Sequence, residues 1–326
     1  MNTIKTETIH PIKIPTPFLV GTVNAYLIKG EQNILVDTGP ATVEAEEALR
    51  SGLAEAELKI HDIDQLILTH HHPDHVGLAY LFSGSAVISG HKKLRPWLSK
   101  DEAHYKNVYQ FFEAFYQENG MEETFIQQIK KQHQSYMTYV KPAELHKEVS
   151  EEEGTIQGLT GWKVLETPGH AQTHISLIRK EDGVLIAGDH IISHISSNAI
   201  LEAPYSPVEK RPETLLQYRD SLKKCLQASI VYSGHGKRIS APKELIIKRL
   251  ESQLSKAEMF YEKIGTESFT VMDLCRKVYP EIFMKQPDLT FSETQGHLDL
   301  LQQEERVKKH WKDGKLYYSQ HQPVKQ

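Results

Sequence analysis

The chain has 326 residues, is 39% hydrophobic and carries a formal net charge of -5, the balance of a globular protein with length for one large domain and a smaller one. The mild acidity gives no whole-chain drive toward nucleic acid, and no apolar run is long enough to span a bilayer. The stretch Met1 to Glu7 lacks the apolar core and small-residue cleavage site of a secretory leader, so a cytoplasmic protein with no membrane partner is expected.

From residue 8 onward, short β-type runs alternate with turn signals. Ile9 to Ile14, Val23 to Ile28 and Ile34 to Val36 are predicted strands, the last ending in Asp37. The short turn Lys29-Gly30-Glu31-Gln32 predicts an antiparallel pair. Asp37 has two readings of equal weight. It could accept a hydrogen bond from a ligand histidine and fix its tautomer, or it could serve as a turn or helix-capping Asp. Ala41 to Leu58 places Ala45, Leu49, Leu53 and Ala56 at helical spacing, with Gly52 as a weak point.

The next strand, Ile63 to Thr69, runs into Thr69-His70-His71-His72-Pro73-Asp74-His75-Val76-Gly77. Here the spacing H-x-H-x-D-H is filled by His70, His72, Asp74 and His75. Imidazole and carboxylate are the donors a borderline cation such as zinc prefers. Four donors in six residues cannot wrap one tetrahedron. They suit two metals side by side, with His70 and His72 on one and Asp74 and His75 on the other.

Gly77 to Phe82 reads as a helix beside this loop, and Ala86 to Ile88 as a strand, an order that argues for a layered α/β domain. Residues 92 to 150 change character, with many aromatics at helical spacing among Glu, Gln and Lys. They read as a helical insertion, in which most aromatics pack the helices and some could shape a lid over the pocket. Gly120 separates two of its helices. Strand patterns then resume. Trp162 to Thr167 leads to Pro168-Gly169-His170, Val184 to Gly188 leads to Asp189, and Ile230 to Ser233 leads to Gly234-His235. Four β-type runs thus end in metal-type residues, and the repetition singles them out. His174, His190 and His194 are expected to be supporting or solvated. Cys225 and Cys275 have no C-x-x-C neighbour and read as small core residues.

The ordered set V-D-T-G, T-H-H-H-P-D-H-V-G, T-P-G-H, A-G-D-H and S-G-H-G, from about residue 20 to 240, resembles the metallo-β-lactamase superfamily. The resemblance implies an αββα sandwich with two metals at one edge of its sheets. His70, His72 and His170 would hold the first metal and Asp74, His75 and His235 the second, with Asp189 bridging. A metal-bridging hydroxide would be the nucleophile and Asp74 a proton relay. Asp189 stands where the secreted antibiotic-degrading members carry cysteine, and His72 where flavodiiron oxidoreductases carry glutamate. The set looks most like the glyoxalase II branch of hydrolases. A mononuclear iron enzyme would need only His70, His170 and Asp189, so the full set disfavours it.

After Ser240-Ala241-Pro242, a polar helix from Lys243, a helix over Phe269 to Tyr279, a helix over Thr290 to Val307 and a hairpin around Asp313-Gly314 suggest a winged-helix pattern. The domains expected are therefore 1-240, with the insertion at 92-150, and 241-326. This arrangement is similar to the β-lactamase-like protein 2 group, in a member of which an endoribonuclease activity is known. The hairpin offers Lys308, Lys309, Lys312 and Lys315, but Glu293, Glu304 and Glu305 count against a nucleic-acid surface. Packing on the catalytic domain or a homodimer contact is the favoured role of the tail. The expected function is a two-zinc hydrolase of a small thioester, lactone or other acyl substrate. A phosphodiesterase acting on single-stranded RNA is the alternative, and a non-enzymatic nucleic-acid-binding regulator fits the complete ligand set poorly.

Overall fold

The computed structural model describes residues 7-321; the stretch read for a leader lies outside them except for Glu7. Strands β1 (Thr8–Ile14), β2 (Val23–Lys29) and β3 (Asn33–Val36) form an antiparallel meander. Helix α1 (Val43–Glu55) crosses to β4 (Gln65–Leu68), which pairs parallel to β3. The short α2 (Pro73–Val76) precedes β5 (Val87–Gly90), parallel to β4. Helices α3 (Arg95–Leu98), α4 (Glu102–Glu118) and α5 (Glu123–Tyr136) follow, and β6 (Lys147–Glu148) closes a six-stranded sheet of order β1-β2-β3-β4-β5-β6. The second sheet has order β10-β9-β8-β7. It is built from β7 (Trp162–Glu166), β8 (Ile175–Arg179), β9 (Val184–Gly188) and, after helix α6 (Thr214–Lys224), β10 (Ile230–Ser233). The tail comprises α7 (Pro242–Ile264), β11 (Ser268–Phe269), α8 (Val271–Val278), α9 (Pro287–Gln303), β12 (Val307–Lys312) and β13 (Lys315–Gln320). Its three strands form a sheet of order β11-β13-β12.

Period-two alternation builds the layers. Tyr26, Ile28, Ile34, Val36 and Ile67 of the first sheet meet Trp162, Val164, Ile175, Leu177, Val184 and Ile186 of the second in one buried cluster. The intervening residues Ala25, Leu27 and Leu35 turn outward onto Ala45, Leu49 and Leu53 of α1. On the far side, Leu165, Ile178, Leu185 and Ala187 pack on Tyr218 and Leu222 of α6. The result is the helix-sheet-sheet-helix sandwich expected from the sequence.

Several boundaries differ from the sequence reading for local reasons. Helix α1 starts at the Thr42 cap, whose hydroxyl accepts the Ala45 N–H at 3.1 Å. It ends before Glu57, which takes φ 61°. Gly52 lets this helix lie against β1, since a Cβ there would meet Ile12 Cγ2 at 2.4 Å. The helix expected over Gly77 to Phe82 is instead the four residues of α2 and a 3-10 turn over Ala79–Phe82. The Leu78 N–H is diverted to Gly39 O at 3.1 Å, which breaks the helical ladder. Helix α9 ends at Gln303 rather than Val307. Glu305 adopts φ 56°, the Arg306 N–H returns to Leu301 O at 2.9 Å, and Val307 opens β12. The hairpin turn is Asp313-Gly314, both at positive φ. Gly120, at φ 87°, separates α4 from α5. No helix among the described residues is long and apolar enough to cross a membrane.

Candidate metal centre

The two sheets are stitched at the edge where β4, β9 and β10 end. Ile175 N–H donates to Thr69 O at 2.9 Å, Asn24 N–H to Gly234 O at 2.7 Å, and the Tyr26 hydroxyl to Ser233 O at 2.6 Å. This fixes the loops that follow those strands and the turn after β7, and it brings all seven predicted site residues together. The donor atoms of His70, His72 and His170 lie within 4.8 Å of one another, as do those of His70, His75 and Asp189 and those of Asp74, His75 and His235.

The tautomers are set by what each imidazole touches on its far side. His75 Nδ1–H donates to Asp37 Oδ2 at 2.8 Å, His170 Nδ1–H to Asn198 O at 3.0 Å and His235 Nδ1–H to Thr22 O at 2.8 Å. His70 Nδ1–H donates to the Thr69 hydroxyl at 3.0 Å, and that hydroxyl donates to Asp37 Oδ2 at 2.8 Å. Asp37 Oδ1 also accepts the Thr69 N–H at 2.8 Å. Of the two readings of Asp37, the structure shows the acceptor of a site histidine, and its φ of 62° puts it in a left-handed strand-end turn as well.

With those protons assigned, Nε2 of His70 and His170 carry lone pairs toward the centre, and Nε2 of His75 and His235 face Asp189 and Asp74 and would lose a proton to a bound cation. His72 Nδ1 lies 3.0 Å from both His70 Nε2 and His170 Nε2. A tetrahedral zinc site, with Zn–N near 2.0–2.1 Å, has an edge of roughly 3.3 Å, close to this spacing. On the other side Asp189 Oδ1 lies 3.3 Å from His75 Nε2, and its Oδ2 lies 3.4 Å from His235 Nε2 and 3.7 Å from His170 Nε2. Asp74 Oδ2 is 3.2 Å from His235 Nε2. His75 Nε2, His235 Nε2 and Asp189 Oδ1 are buried without a hydrogen-bond partner. Buried polar atoms of this kind are costly unless something satisfies them, and this donor set fits a divalent cation.

Electrostatics agree with that fit. Burial, then the neighbouring imidazoles, hold His70 and His72 well below the ordinary histidine range, so both are neutral, as ligation requires. Burial also pushes His235 down, but Asp189 and Asp74 outweigh it and raise the group to about 10. His75 is raised for the same reason by Asp189, Asp37 and Asp74. The second group is therefore a place of surplus negative charge that draws a cation.

Space is kept by Gly234, where a Cβ would lie 2.1 Å from Asp189 Oδ1. His174, expected only as a supporting residue, accepts the Asp189 N–H on Nε2 at 3.1 Å and donates from Nδ1 to the Thr167 hydroxyl at 2.8 Å. Burial lowers His190 to about 3, and its ring lies edge-on to Tyr218 with centroids 4.9 Å apart. His194 is exposed. Residues that the sequence did not single out for the site surround His71. Its ring stacks on Trp97 with centroids 4.1 Å apart, and its Nε2 faces the buried Glu202 at 3.6 Å. Glu202 is pushed up to about 8 by burial. Nothing in the run Leu201-Glu202-Ala203-Pro204 marks such a role, because it follows from a long irregular segment folding back over the site.

Fold and donor geometry together define a metallo-hydrolase-type centre, and the chain matches the metallo-beta-lactamase superfamily over residues 19–235. It belongs to that superfamily. It is 37% identical to a probable metallo-hydrolase, YqjP, of Bacillus subtilis, over 96% of this chain and 98% of the relative. It is 27% identical to a Beta-lactamase-like protein 2 homolog of Caenorhabditis elegans, over 82% of this chain and 74% of the relative. It is 25% identical to an atrochrysone carboxyl ACP thioesterase of Passalora fulva, over 81% of this chain and 65% of the relative. Among solved structures, a metallo-beta-lactamase family protein from Thermus thermophilus superposes with TM-score 0.80 at 26% identity, covering 96% of this chain and 98% of that one.

Proposed function

We propose that the protein is a hydrolase that works with two divalent cations, zinc first among them, on a small acyl substrate such as a thioester or lactone. The observation that carries this reading is the set of unpartnered buried atoms, His75 Nε2, His235 Nε2 and Asp189 Oδ1, beside the converging His70, His72 and His170. His70, His72 and His170 would hold one cation and Asp74, His75 and His235 the other. Asp189 would serve both, since it lies 3.7 Å from His170 Nε2 of the first group and 3.3–3.4 Å from His75 Nε2 and His235 Nε2 of the second. When bound, such a pair lowers the pKa of water and polarises a carbonyl or phosphoryl oxygen.

The chain's own groups supply the rest. Asp37, Thr69, Asn198 and Thr22 keep the imidazole protons on the far nitrogens. Asp74 Oδ2 is the oxygen at which the proton of an attacking water would be held and passed to the leaving group. Burial of His70, His75 and His235 leaves the half-buried His72 as the open side, where substrate would approach.

The thioesterase relative supports the acyl class, as do the glutamates beside the hairpin lysines. Every proposed ligand precedes residue 240. The order β11, α8, α9, β12, β13 supports a winged-helix character for 241-326. The free buried Cys225 and Cys275 suit a reducing compartment, the cytoplasm.

Protein purified without chelator is expected to carry close to two equivalents of divalent metal. One equivalent, unchanged by His235→Ala, would sink the two-cation reading. On the loaded protein, turnover of thioesters and lactones is expected to exceed cleavage of single-stranded RNA. The reverse ranking would move phosphodiester hydrolysis to first place.

A further inference from the structure

The geometry points to Glu202 as a positioning residue that joins the two loops presenting His70, His72 and His170. This inference rests on the two-cation reading of the site. Glu202 belongs to neither loop. It lies on the irregular segment between β9 and α6. Its Oε2 accepts the N–H of Gln172 at 2.8 Å, two residues after His170. Its Oε1 faces His71 Nε2 at 3.6 Å, and His71 stands between His70 and His72. One carboxyl therefore touches both ligand loops from behind.

The surrounding contacts hold that arrangement in register. The Thr173 hydroxyl accepts the His71 N–H at 3.1 Å and is hydrogen-bonded to His71 Nδ1 at 3.0 Å. With Nδ1 engaged by Thr173, His71 Nε2 is the nitrogen left aimed at Glu202. The Trp97 face beneath His71 blocks the ring from tipping away, and Trp97 is itself fixed through its indole N–H, which donates to the Tyr205 hydroxyl at 2.7 Å. The segment that delivers Glu202 also delivers Ser197 and Asn198, both in contact with His170 Nδ1. Placement of the segment and placement of the ligands are thus one event.

A carboxyl here is costly without such a role. Glu202 is 9% exposed, no Lys or Arg lies within ion-pair distance among the described residues, and Oε1 has no hydrogen-bond partner. Burying an uncompensated carboxyl is unfavourable, and an apolar side chain would pack at lower cost. What an apolar side chain could not do is accept the Gln172 N–H while presenting a polar atom to His71.

The test is metal titration by calorimetry, with cobalt(II) absorption as a second readout, on the full chain. Glu202→Ala is expected to weaken one of the two equivalents by 10- to 100-fold, the range found when groups supporting ligands are removed. It should leave the other equivalent unchanged and alter the cobalt spectrum. Glu202→Gln keeps an acceptor for Gln172 and a polar group facing His71, and it is expected to restore both affinity and spectrum. If the alanine variant is insoluble, Glu202→Met removes the polar atoms without a cavity and asks the same question. A variant that lowers only the melting temperature, with both affinities and the spectrum as in the parent, would overturn the assignment. Failure of the parent protein to bind two equivalents would instead overturn the two-cation reading.

Discussion

At the scale of single residues, Asp37 does more than any one ligand to order the site. It holds His75 directly and His70 through Thr69, so one carboxylate sets the tautomer of a histidine in each group. Asp37→Asn keeps the shape but replaces one accepting oxygen with a donor, which must then oppose either the Thr69 N–H or both His75 Nδ1–H and the Thr69 hydroxyl. The expected outcome is metal binding weakened by roughly 10- to 100-fold, read by competition with a chromophoric chelator; unchanged affinity would show that other contacts fix the tautomers. Glu202 gives a second prediction, in pH. Burial raises its folded-state value to about 8, above the ordinary carboxylate range it has when unfolded. The folded state therefore holds the extra proton between those values, and stability falls as pH rises through that window. The melting temperature of the parent, measured relative to Glu202→Gln, is expected to drop from pH 5 to pH 8. A difference that stays flat across that range would contradict the shift.

At the scale of elements, the candidate ligands sit at strand ends, and this is why their convergence was legible in the sequence. Short apolar runs followed by His70, Asp189 and His235 are local signals, and the edge where the sheets meet forces them together. Asp37 was legible as a strand-end acid, but its partner was not, because His75 lies beyond a helix and a strand in sequence. The supporting atoms at Thr22, Asn198 and Glu202 left no signal, since two are backbone carbonyls and the third sits in a stretch with no period. Helix limits failed where a tertiary hydrogen bond took over, as at Leu78 and Arg306. The element view also marks Gly234, between β10 and His235. Gly234→Ala would drive a methyl into Asp189 Oδ1 and His75 Cε1, at 2.1 and 2.8 Å. It is expected to lower metal content to one equivalent or less while circular dichroism stays that of the folded chain; two retained equivalents would mean that the strand end yields to the methyl group.

At the scale of the whole molecule, the tail and the helical insertion are not separate in their packing. Tyr116, Met121 and Ile126 from the insertion share one buried cluster with Phe260, Phe283, Phe291, Leu298 and Tyr318 from the tail. Tyr116 meets Phe291 edge-on with centroids 4.9 Å apart, and Phe125 meets Phe283 at 4.9 Å. The Arg211 guanidinium, on the segment that follows the site, grips the buried Asp299 of α9 through both oxygens at 2.7 and 2.8 Å. Arg249 of α7 donates to the carbonyls of Ile192 and Ile195, just ahead of Ser197 and Asn198. A shared core of this kind unfolds as one unit rather than as a detachable module. Phe291→Ala is therefore expected to cost about 3–5 kcal/mol and to lower the melting transition reported by insertion and tail alike, in a single calorimetric peak. A chain ending at Ser240 should aggregate, with the insertion's aromatic face uncovered. A soluble truncated chain that still binds two metals, or a separate tail transition in Phe291→Ala, would show that the tail is an independent attachment.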